Sequence, residues 1–442
     1  MANNVDASVT SRDSSLSSAN WNLNERQARW LLCFEFVYAF LFSGLRDLFS
    51  LPSGVSYALD ILNLLVLLLF AVHNKKFVFL KKNNLFGVLL SILFILFCVS
   101  ITAVFNLVSF LLFAWGIRNF FRFFIFFFAF IFYFDNVDLS KIHKFLFAVN
   151  VLNFVVTIIQ FFVFKISRDQ LGGVFGCTTG VNSFTNILLS ISLTLSFQLY
   201  FHKKSSFLSV LLFITMWMFI AALSELKIAF IEIPLIAIMT ILLNRPGLKS
   251  LVVVFASIIA IFIGVNILVS IFPEWASSFF SLESLVKVGF ETGGGYNISR
   301  LNAYHDINLL FFDNSVSKNV FGLGFGNCEF SSFEFFVSDF YLLFGHYNYR
   351  WFTNQMLFLE SGYLGIVSYF LFFLSCFVWF VKAKTKSGDK SGYGNYAIIY
   401  LILLIFNFVY NSSFSTEAGY LAFFGLALPF IHYKTNNLRS IQ

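Results

Sequence analysis

Long apolar runs recur along the whole chain, and they constrain its fold more than any other feature. Many of them exceed the roughly 18 consecutive apolar residues that indicate a membrane-spanning helix. Hydrophobic residues make up 59% of the 442 residues and charged residues only 12%, whereas a soluble domain carries about 25% charged residues. A membrane β-barrel would show short alternating segments instead. The sequence therefore predicts an all-α membrane protein.

The apolar runs divide into about 12 transmembrane helices, with one large loop before the tenth. The first 29 residues are polar and hold no signal-peptide core, so we predict a disordered cytoplasmic N-terminus. The predicted helices cover 30–45, 55–72, 86–104, 119–134, 143–164, 183–200, 206–223, 228–243, 250–272, 352–381, 397–411 and 416–432. The regions are 1–29 (N-terminus), 30–272 (helices one to nine), 273–351 (periplasmic loop), 352–432 (helices ten to twelve) and 433–442 (cytoplasmic tail).

The distribution of positive charge predicts the orientation. With the N-terminus inside, most of the 29 Lys and Arg residues fall in inner segments, as the positive-inside rule requires. Both termini are then cytoplasmic, and loop 273–351 faces the periplasm of a bacterial inner membrane. The net charge of +7 does not indicate a nucleic-acid partner, because the cations occupy short loops and form no basic face.

Some Lys and Arg residues lie on the predicted outer side, although these residue types prefer the inner side. They are candidates for binding an anion. In KISRDQLGGVFGCTTGVNSF (165–184), Arg168 precedes several glycines, which permit tight turns and exposed backbone N–H groups. In SELK (224–227), Lys227 lies at the predicted membrane edge beside Glu225. The alternatives are an ordinary flexible turn in the first segment and an interfacial ion pair with a snorkelling lysine in the second.

The long outer loop carries Arg300 and Arg350 among a majority of acidic residues. Arg300 is therefore not part of a general basic patch. It is a candidate for anion binding, and the alternative is a salt bridge to Asp306 or Glu291.

Motifs for nucleotide and metal chemistry are absent from the sequence. There is no Walker-type GxxxxGK and no GxGxxG after a soluble strand, so a self-contained ATP-driven pump is excluded. The five cysteines show no metal-binding spacing. Cys177 and Cys328 fall on the same predicted side, so a disulfide between them is one alternative. We expect no cofactor and no metal.

Three segments together resemble a known family. GGVFGCTTGVNSF (172–184) is similar to the R…G-x-F…N segment of bacterial O-antigen polymerases and ligases. Arg300 with Tyr304, followed by NVFGLGFGN (319–327), resembles the family's R-x-x-x-W element and its G-x-G-x-G turn. TNQMLFLESGYLGI (353–366) resembles the start of the span that follows the outer loop. The predicted layout of spans, termini and outer loop also matches.

The chain departs from the family pattern at three places, and one of them bears on the choice between its branches. Tyr304 stands in place of the tryptophan, and Lys227 stands where many relatives have arginine. The ligase branch has a histidine at the start of the span after the loop, where this chain has Thr353-Asn354, and the nearest histidine is His346. The missing histidine favours a Wzy-type polymerase over a ligase.

The resemblance implies transfer of a glycan from undecaprenyl diphosphate to a sugar hydroxyl on another lipid-linked glycan. The diphosphate leaving group is already activated, so no nucleotide is needed. Arginine suits the charge that develops, because its planar fork can bind two phosphate oxygens. The expected diphosphate-binding residues are Arg300, Arg168, Lys227 and Arg350.

The acceptor hydroxyl would benefit from a general base, for which His346 and His305 are the candidates beside Arg300 as catalytic residues. Asn354, Glu360 and Tyr304 are expected to support the site. Glu360 either orients Asn354 or an arginine, or makes a tertiary hydrogen bond within the bundle.

Two further features have open alternatives. Arg118 and Arg122 share one helix face near the outer edge, where they either contact lipid phosphate or snorkel. The aromatic run 330–344 forms an amphipathic interfacial helix, a sugar-stacking groove or a lid packed on the bundle.

The expected partners are undecaprenyl-diphosphate-linked oligosaccharides, membrane lipid and a polysaccharide chain-length regulator. The alternatives to a polymerase are a ligase that uses lipid A–core as acceptor, and a lipid-linked glycan flippase or secondary transporter. A transporter would show charges buried within the bundle, and Glu35 and Glu232 are the clear charges inside predicted spans.

Overall fold

The computed structural model describes residues 6–72, 79–81, 83–134, 139–178, 180–244, 247–273, 297–387 and 392–439. Within these ranges all regular secondary structure is helical. The α-helices are α1 (Asp6–Phe49), α2 (Ala58–Val72), α3 (Phe86–Phe105), α4 (Phe110–Tyr133), α5 (Leu139–Phe162), α6 (Asn182–Phe201), α7 (Phe207–Leu223), α8 (Ala229–Leu243), α9 (Leu248–Ile271), α10 (Ala303–Leu310), α11 (Val316–Phe321), α12 (Asp339–Phe344), α13 (Thr353–Ser387), α14 (Tyr393–Tyr410) and α15 (Ala418–Arg439).

The all-helical membrane architecture predicted from the sequence is confirmed. In the described part of the chain, nine helices are long and apolar enough to cross a membrane. Two shorter apolar helices, α7 and α8, accompany them. Every predicted span overlaps one of the helices α1–α9 or α13–α15. The total of about 12 crossings stays a prediction.

The N-terminus differs from the sequence prediction. Helix α1 begins at Asp6, so the backbone is helical through most of the segment predicted to be disordered. The physical reason is that no glycine or proline precedes Gly44, so nothing in this stretch breaks a helix. Side chains are described from Glu25, which lies 3.6 Å from Arg29 in an ion pair.

Helix α6 lies at the centre of the bundle. All of its residues from Ser183 to Leu199 are buried, although many are serine, threonine or asparagine. It is the least hydropathic of the nine candidate spans and the most buried, with 89% of its window inside the protein. Burial inside the bundle explains this composition, because polar side chains are costly where a helix faces lipid. Helices α7, α8, α14, α15 and α5 pack around it.

Helix α13 is broken near its start, at the point where the outer loop returns to the bundle. Gly362 has a φ of 56°, outside the helical region. The carbonyl oxygens of Leu359 and Glu360 accept hydrogen bonds from the N–H groups of Leu323 and Gly324, both at 2.9 Å. The loop therefore satisfies backbone acceptors that the break exposes.

The glycine turn at 322–326 fits between α13 and α4. Gly322, Gly324 and Gly326 all have positive φ, at 67°, 94° and 88°. A Cβ on Gly326 would lie 2.2 Å from the Leu112 carbonyl oxygen, and one on Gly322 would lie 2.4 Å from the backbone of Glu360. Only glycine fits both the backbone conformation and the space, so the predicted turn is confirmed and serves to join the loop to two helices.

Candidate functional site

A cavity of about 440 Å³ lies at the end of the bundle where α6 and α13 begin and α14 ends. Its walls come from the α5–α6, α7–α8 and α14–α15 connections and from the outer loop. The lining residues are Asp169, Gly180, Asn182, Ser183, Glu225, Leu226, Lys227, Arg300, Gly345, Tyr347, Arg350, Trp351, Phe352, Tyr410, Asn411, Ser412 and Thr416. Three of the four cations predicted to bind diphosphate are among them.

Arg300 is held in this cavity by aromatic groups. Its Nη1 donates a hydrogen bond of 2.7 Å to the Tyr410 hydroxyl. Its guanidinium carbon lies 4.6 Å from the Tyr410 ring centroid and 5.1 Å from that of Phe352. Cation–π contacts of this kind orient an arginine without neutralising it.

Arg300 forms no ion pair with any carboxylate in the described part of the chain. The Asp306 carboxylate instead accepts a hydrogen bond of 2.9 Å from the Ser299 N–H. The alternative of a salt bridge to Asp306 is therefore wrong, and Glu291 lies outside the described residues. Arg300 keeps its positive charge directed at the cavity.

Lys227 lies on the short connection between α7 and α8, close to Arg300. Burial lowers the pKa of Lys227 to about 8, with Glu225 opposing this shift and the like charge of Arg300 adding to it. Two neighbouring cations in a partly dehydrated cavity repel each other. A bound anion would relieve this repulsion, so the cavity is suited to a negatively charged ligand.

Arg350 lines the same cavity from the end of the outer loop, in a short turn just before α13. It donates a hydrogen bond of 3.2 Å to the Tyr341 hydroxyl, and its guanidinium lies 4.9 Å from the Phe330 ring centroid. Burial raises the pKa of Glu329, while the nearby Arg350 opposes the shift.

Arg168 lies at the rim. Its Nε is 3.0 Å from Glu225 Oε1, and 57% of its side chain is exposed. Glu225 itself lines the cavity. Arg168 is thus adjacent to the predicted diphosphate site and already paired with a carboxylate, unlike Arg300.

The glycine segment after α5 does not present its amides to a ligand as predicted. The N–H groups of Gly173, Val174 and Cys177 are bonded to side chains of neighbouring helices. The acceptors are Gln160 at 2.7 Å, Asn153 at 3.0 Å and Asp47 at 2.6 Å. These bonds fix the segment to α5 and α1, and of its glycines only Gly180 reaches the cavity. Cys177 and Cys328 are both free thiols, so the alternative of a disulfide is wrong.

The two predicted histidines do not line the cavity. His305 is exposed on α10. His346 is exposed between Gly345 and Tyr347, both of which are lining residues. The carboxylates that do line the cavity are Asp169 and Glu225, and Asp169 accepts a hydrogen bond of 3.0 Å from Asn182.

The three supporting residues lie behind the cavity, where they anchor the loop on α13. The Tyr304 ring stacks on Phe358 with centroids 4.3 Å apart. Burial raises the pKa of Tyr304 to about 12, and a hydrogen bond with buried Asn354 opposes the shift. Glu360 Oε1 accepts a hydrogen bond of 2.9 Å from the Cys328 N–H. Of the two alternatives for Glu360, the structure has the tertiary hydrogen bond.

Arg118 and Arg122 neither snorkel nor face lipid phosphate. Arg118 Nε donates a hydrogen bond of 2.8 Å to Asp60. Arg122 is only 6% exposed, and its Nη1 lies 3.3 Å from Glu417. Burial alone would raise the pKa of Glu417, but Arg122 outweighs it and the pKa is lowered. Both arginines therefore form ion pairs with carboxylates of the protein itself.

The aromatic run 330–344 is not one amphipathic helix. It contains a short 3-10 turn at Glu334–Phe336 and the six-residue helix α12. Ser338 separates them, because its side chain accepts a hydrogen bond from the Tyr341 N–H and starts a new helix. Phe336 stacks on Trp115 of α4 with centroids 4.6 Å apart. The run is a lid packed on the bundle.

Sequence reasoning missed the connection between α14 and α15. NSSFSTE (411–417) supplies Asn411, Ser412 and Thr416 to the cavity, and Tyr410 precedes it. The signal was present, since this is a polar run between the last two apolar spans. The predicted spans end at 411 and begin again at 416, so only 412–415 lies between them and no role was predicted for it.

A chain of hydrogen bonds leads from this connection to a buried acid. Asn411 Nδ2 donates to Asn407 at 2.8 Å, and Asn407 Nδ2 donates to Glu232 at 2.9 Å. The Ser190 hydroxyl donates to the other Glu232 oxygen at 3.1 Å. Glu232 lies in the first turn of α8 and is fully buried, so this acid lies inside the bundle, beyond the residues that line the cavity.

The cavity thus combines guanidinium and ammonium groups with aromatic walls and amide side chains. This arrangement can bind a polyanion and can stabilise negative charge that forms on it. No family model and no curated protein matches the chain.

Proposed function

We propose that this chain polymerises undecaprenyl-diphosphate-linked oligosaccharide repeat units into O-antigen polysaccharide. The observation that carries the proposal is the convergence of Lys227, Arg300 and Arg350 on one cavity of about 440 Å³. The proposal places this cavity at the periplasmic face of a bacterial inner membrane. The termini are then cytoplasmic, and loop 273–351 lies in the periplasm.

In the proposed reaction, a sugar hydroxyl of one lipid-linked glycan attacks the anomeric carbon of another. A new C–O bond forms, and the bond from that carbon to the diphosphate oxygen breaks. The electron pair stays on the diphosphate, whose added negative charge is stabilised by Arg300, Lys227 and Arg350. The leaving group is a good one, so the reaction needs no nucleotide.

The hydroxyl proton must go to a base. Asp169 suits this role better than His305 or His346, because Asp169 lines the cavity and its carboxylate is oriented by Asn182. A carboxylate within hydrogen-bond reach of the acceptor hydroxyl can take the proton as the new bond forms. The histidines remain predictions from the family resemblance.

Complementation of a polymerase-deficient strain tests this function. The wild-type gene should restore a ladder of long-chain lipopolysaccharide on a gel. The Arg300→Ala variant should leave single repeats attached to the core, while Lys318→Ala should restore the ladder. Lys318 is a matched control, because it lies in the same loop and pairs with Asp313 at 3.0 Å, outside the cavity.

The same gel separates the alternatives. Loss of a ligase leaves no attached O-antigen, whereas loss of a polymerase leaves single repeats. A ladder of normal length from Arg300→Ala would contradict the site. Failure of the wild-type gene to lengthen chains would contradict the function.

A further inference from the structure

The cavity that Lys227, Arg300 and Arg350 line is here called the cationic cavity. A second cavity, called the groove, lies between α3 and α13 at the opposite end of the bundle. Its volume is about 610 Å³. Helix α13 starts beside the cationic cavity at Thr353, and Leu371, its first residue to line the groove, follows 18 residues later, about 27 Å along the helix. The groove is therefore separate from the proposed catalytic site.

The residues of α13 that line the groove are apolar at one end and cationic at the other. Its lining residues recur every three or four positions, so they share one helix face. They are Leu371, Leu374, Val378, Lys382 and Lys386. The stretch from the first to the last covers about 22 Å, which is about half of the roughly 40–45 Å that a bilayer spans with its headgroup regions. These dimensions fit one leaflet of a bilayer.

The apolar part of the groove is open to its surroundings. Leu374 is 54% exposed, and Leu371 and Val378 are each 40% exposed. On the α3 side, a Cβ added to Gly87 would meet no atom within 4 Å. The glycine leaves a space beside these side chains that an acyl chain can occupy.

The polar end of the groove carries two exposed lysines, Lys382 and Lys386. Neither forms an ion pair with a carboxylate among the residues that the structure describes. Lys384, between them in sequence, faces inward and donates a hydrogen bond of 2.6 Å to Asn395. Two ammonium groups at the mouth of an apolar groove are complementary to an anionic phosphate with an attached acyl chain.

We propose that this groove binds one anionic phospholipid of the surrounding membrane. The acyl chain lies along Leu371, Leu374 and Val378, and the phosphate pairs with Lys382 and Lys386. The inference does not depend on the polymerase function, because none of these residues lines the cationic cavity.

Native mass spectrometry of the purified full chain tests the site, with phosphatidylglycerol and phosphatidylethanolamine of identical acyl chains as probes. The wild-type protein should retain phosphatidylglycerol in preference to phosphatidylethanolamine. Lys382→Gln with Lys386→Gln should lower its affinity about 30-fold, from the loss of two surface cations. Lys203→Gln with Lys204→Gln is the matched control. Both are exposed on the α6–α7 connection at the same end and do not line the groove.

Gly87→Leu provides an independent test, because it fills the groove and leaves the charge unchanged. The replacement removes a glycine from a helix, so it should not lower the melting temperature. It should abolish phosphatidylglycerol retention. Equal retention of the two lipids by wild type would overturn the proposal. Retention of phosphatidylglycerol by Gly87→Leu and by the Lys382/Lys386 variant at the wild-type level would also overturn it.

Discussion

Arg122 and Arg300 lie at the same end of the bundle, but the protein uses their charges differently. Arg122 is buried and paired with Glu417 at 3.3 Å. Arg300 lines a cavity, and its hydrogen bond in the described structure goes to the neutral Tyr410 hydroxyl. A paired cation stabilises the fold, whereas a cation held by aromatic groups remains able to bind an anion. The partner of each arginine, rather than its place in the sequence, distinguishes structure from function.

Arg300→Ala should give the largest effect. We expect the rate of chain lengthening to fall by roughly 100- to 1,000-fold, the range seen when one donor to developing negative charge is removed. The melting temperature should stay within a few degrees of wild type, because no carboxylate loses its partner. An equal loss of activity and thermal stability would assign Arg300 a structural role instead.

Arg122→Met should show the opposite pattern. It leaves the Glu417 carboxylate without its partner, which should lower the free energy of unfolding by about 2 kcal/mol. The folded fraction should keep most of its activity. Adding Glu417→Gln should recover part of the stability, as measured by thermal unfolding in detergent. No recovery in the double variant would mean that the ion pair is not the cause.

The pH dependence of anion binding should report on Lys227. Its folded pKa of about 8 means that the ammonium form is populated below this pH and lost above it. Affinity for a diphosphate lipid should therefore fall as pH rises through about 8, by up to about tenfold. Lys227→Arg should remove this dependence, because arginine stays charged. A wild-type affinity that is unchanged between pH 7 and 9 would exclude Lys227 from the anion site.

Tyr410→Phe should have the smallest effect. It keeps the ring beneath Arg300 and removes the hydroxyl that accepts the bond from Nη1. Loss of one hydrogen bond costs about 1 kcal/mol, so we expect a roughly fivefold loss of activity. Tyr341→Phe, which removes the hydroxyl partner of Arg350, offers a comparison of the two arginines in the same assay. An effect of Tyr410→Phe as large as that of Arg300→Ala would mean that the hydroxyl itself takes part in the reaction.

The helical architecture could be predicted because long apolar runs leave a membrane chain few alternatives. The glycine turn at 322–326 could also be placed, since closely spaced glycines indicate positive φ values. The sequence predicted that Lys227, Arg300 and Arg350 all bind diphosphate. It did not predict that they line one cavity, because they lie in segments far apart in the chain.

The remaining details depended on tertiary contacts that leave no local signal. The sequence around Arg122 does not indicate that its ion-pair partner is Glu417. The sequence around Gly173 does not indicate that its N–H group donates a hydrogen bond to the Gln160 side chain. The histidines were chosen for their chemistry, and the fold leaves them outside the cavity. The polar connection 411–417 was missed because hydropathy alone does not locate the ends of a span.

The most direct test of the central claim is chain lengthening by the purified wild-type chain. The chain would be reconstituted in proteoliposomes with an undecaprenyl-diphosphate-linked repeat unit, without nucleotide. Gel analysis of the lipid-linked products should show a ladder of longer glycans from wild type and only single repeats from Arg300→Ala. Single repeats from the wild-type protein would contradict the account.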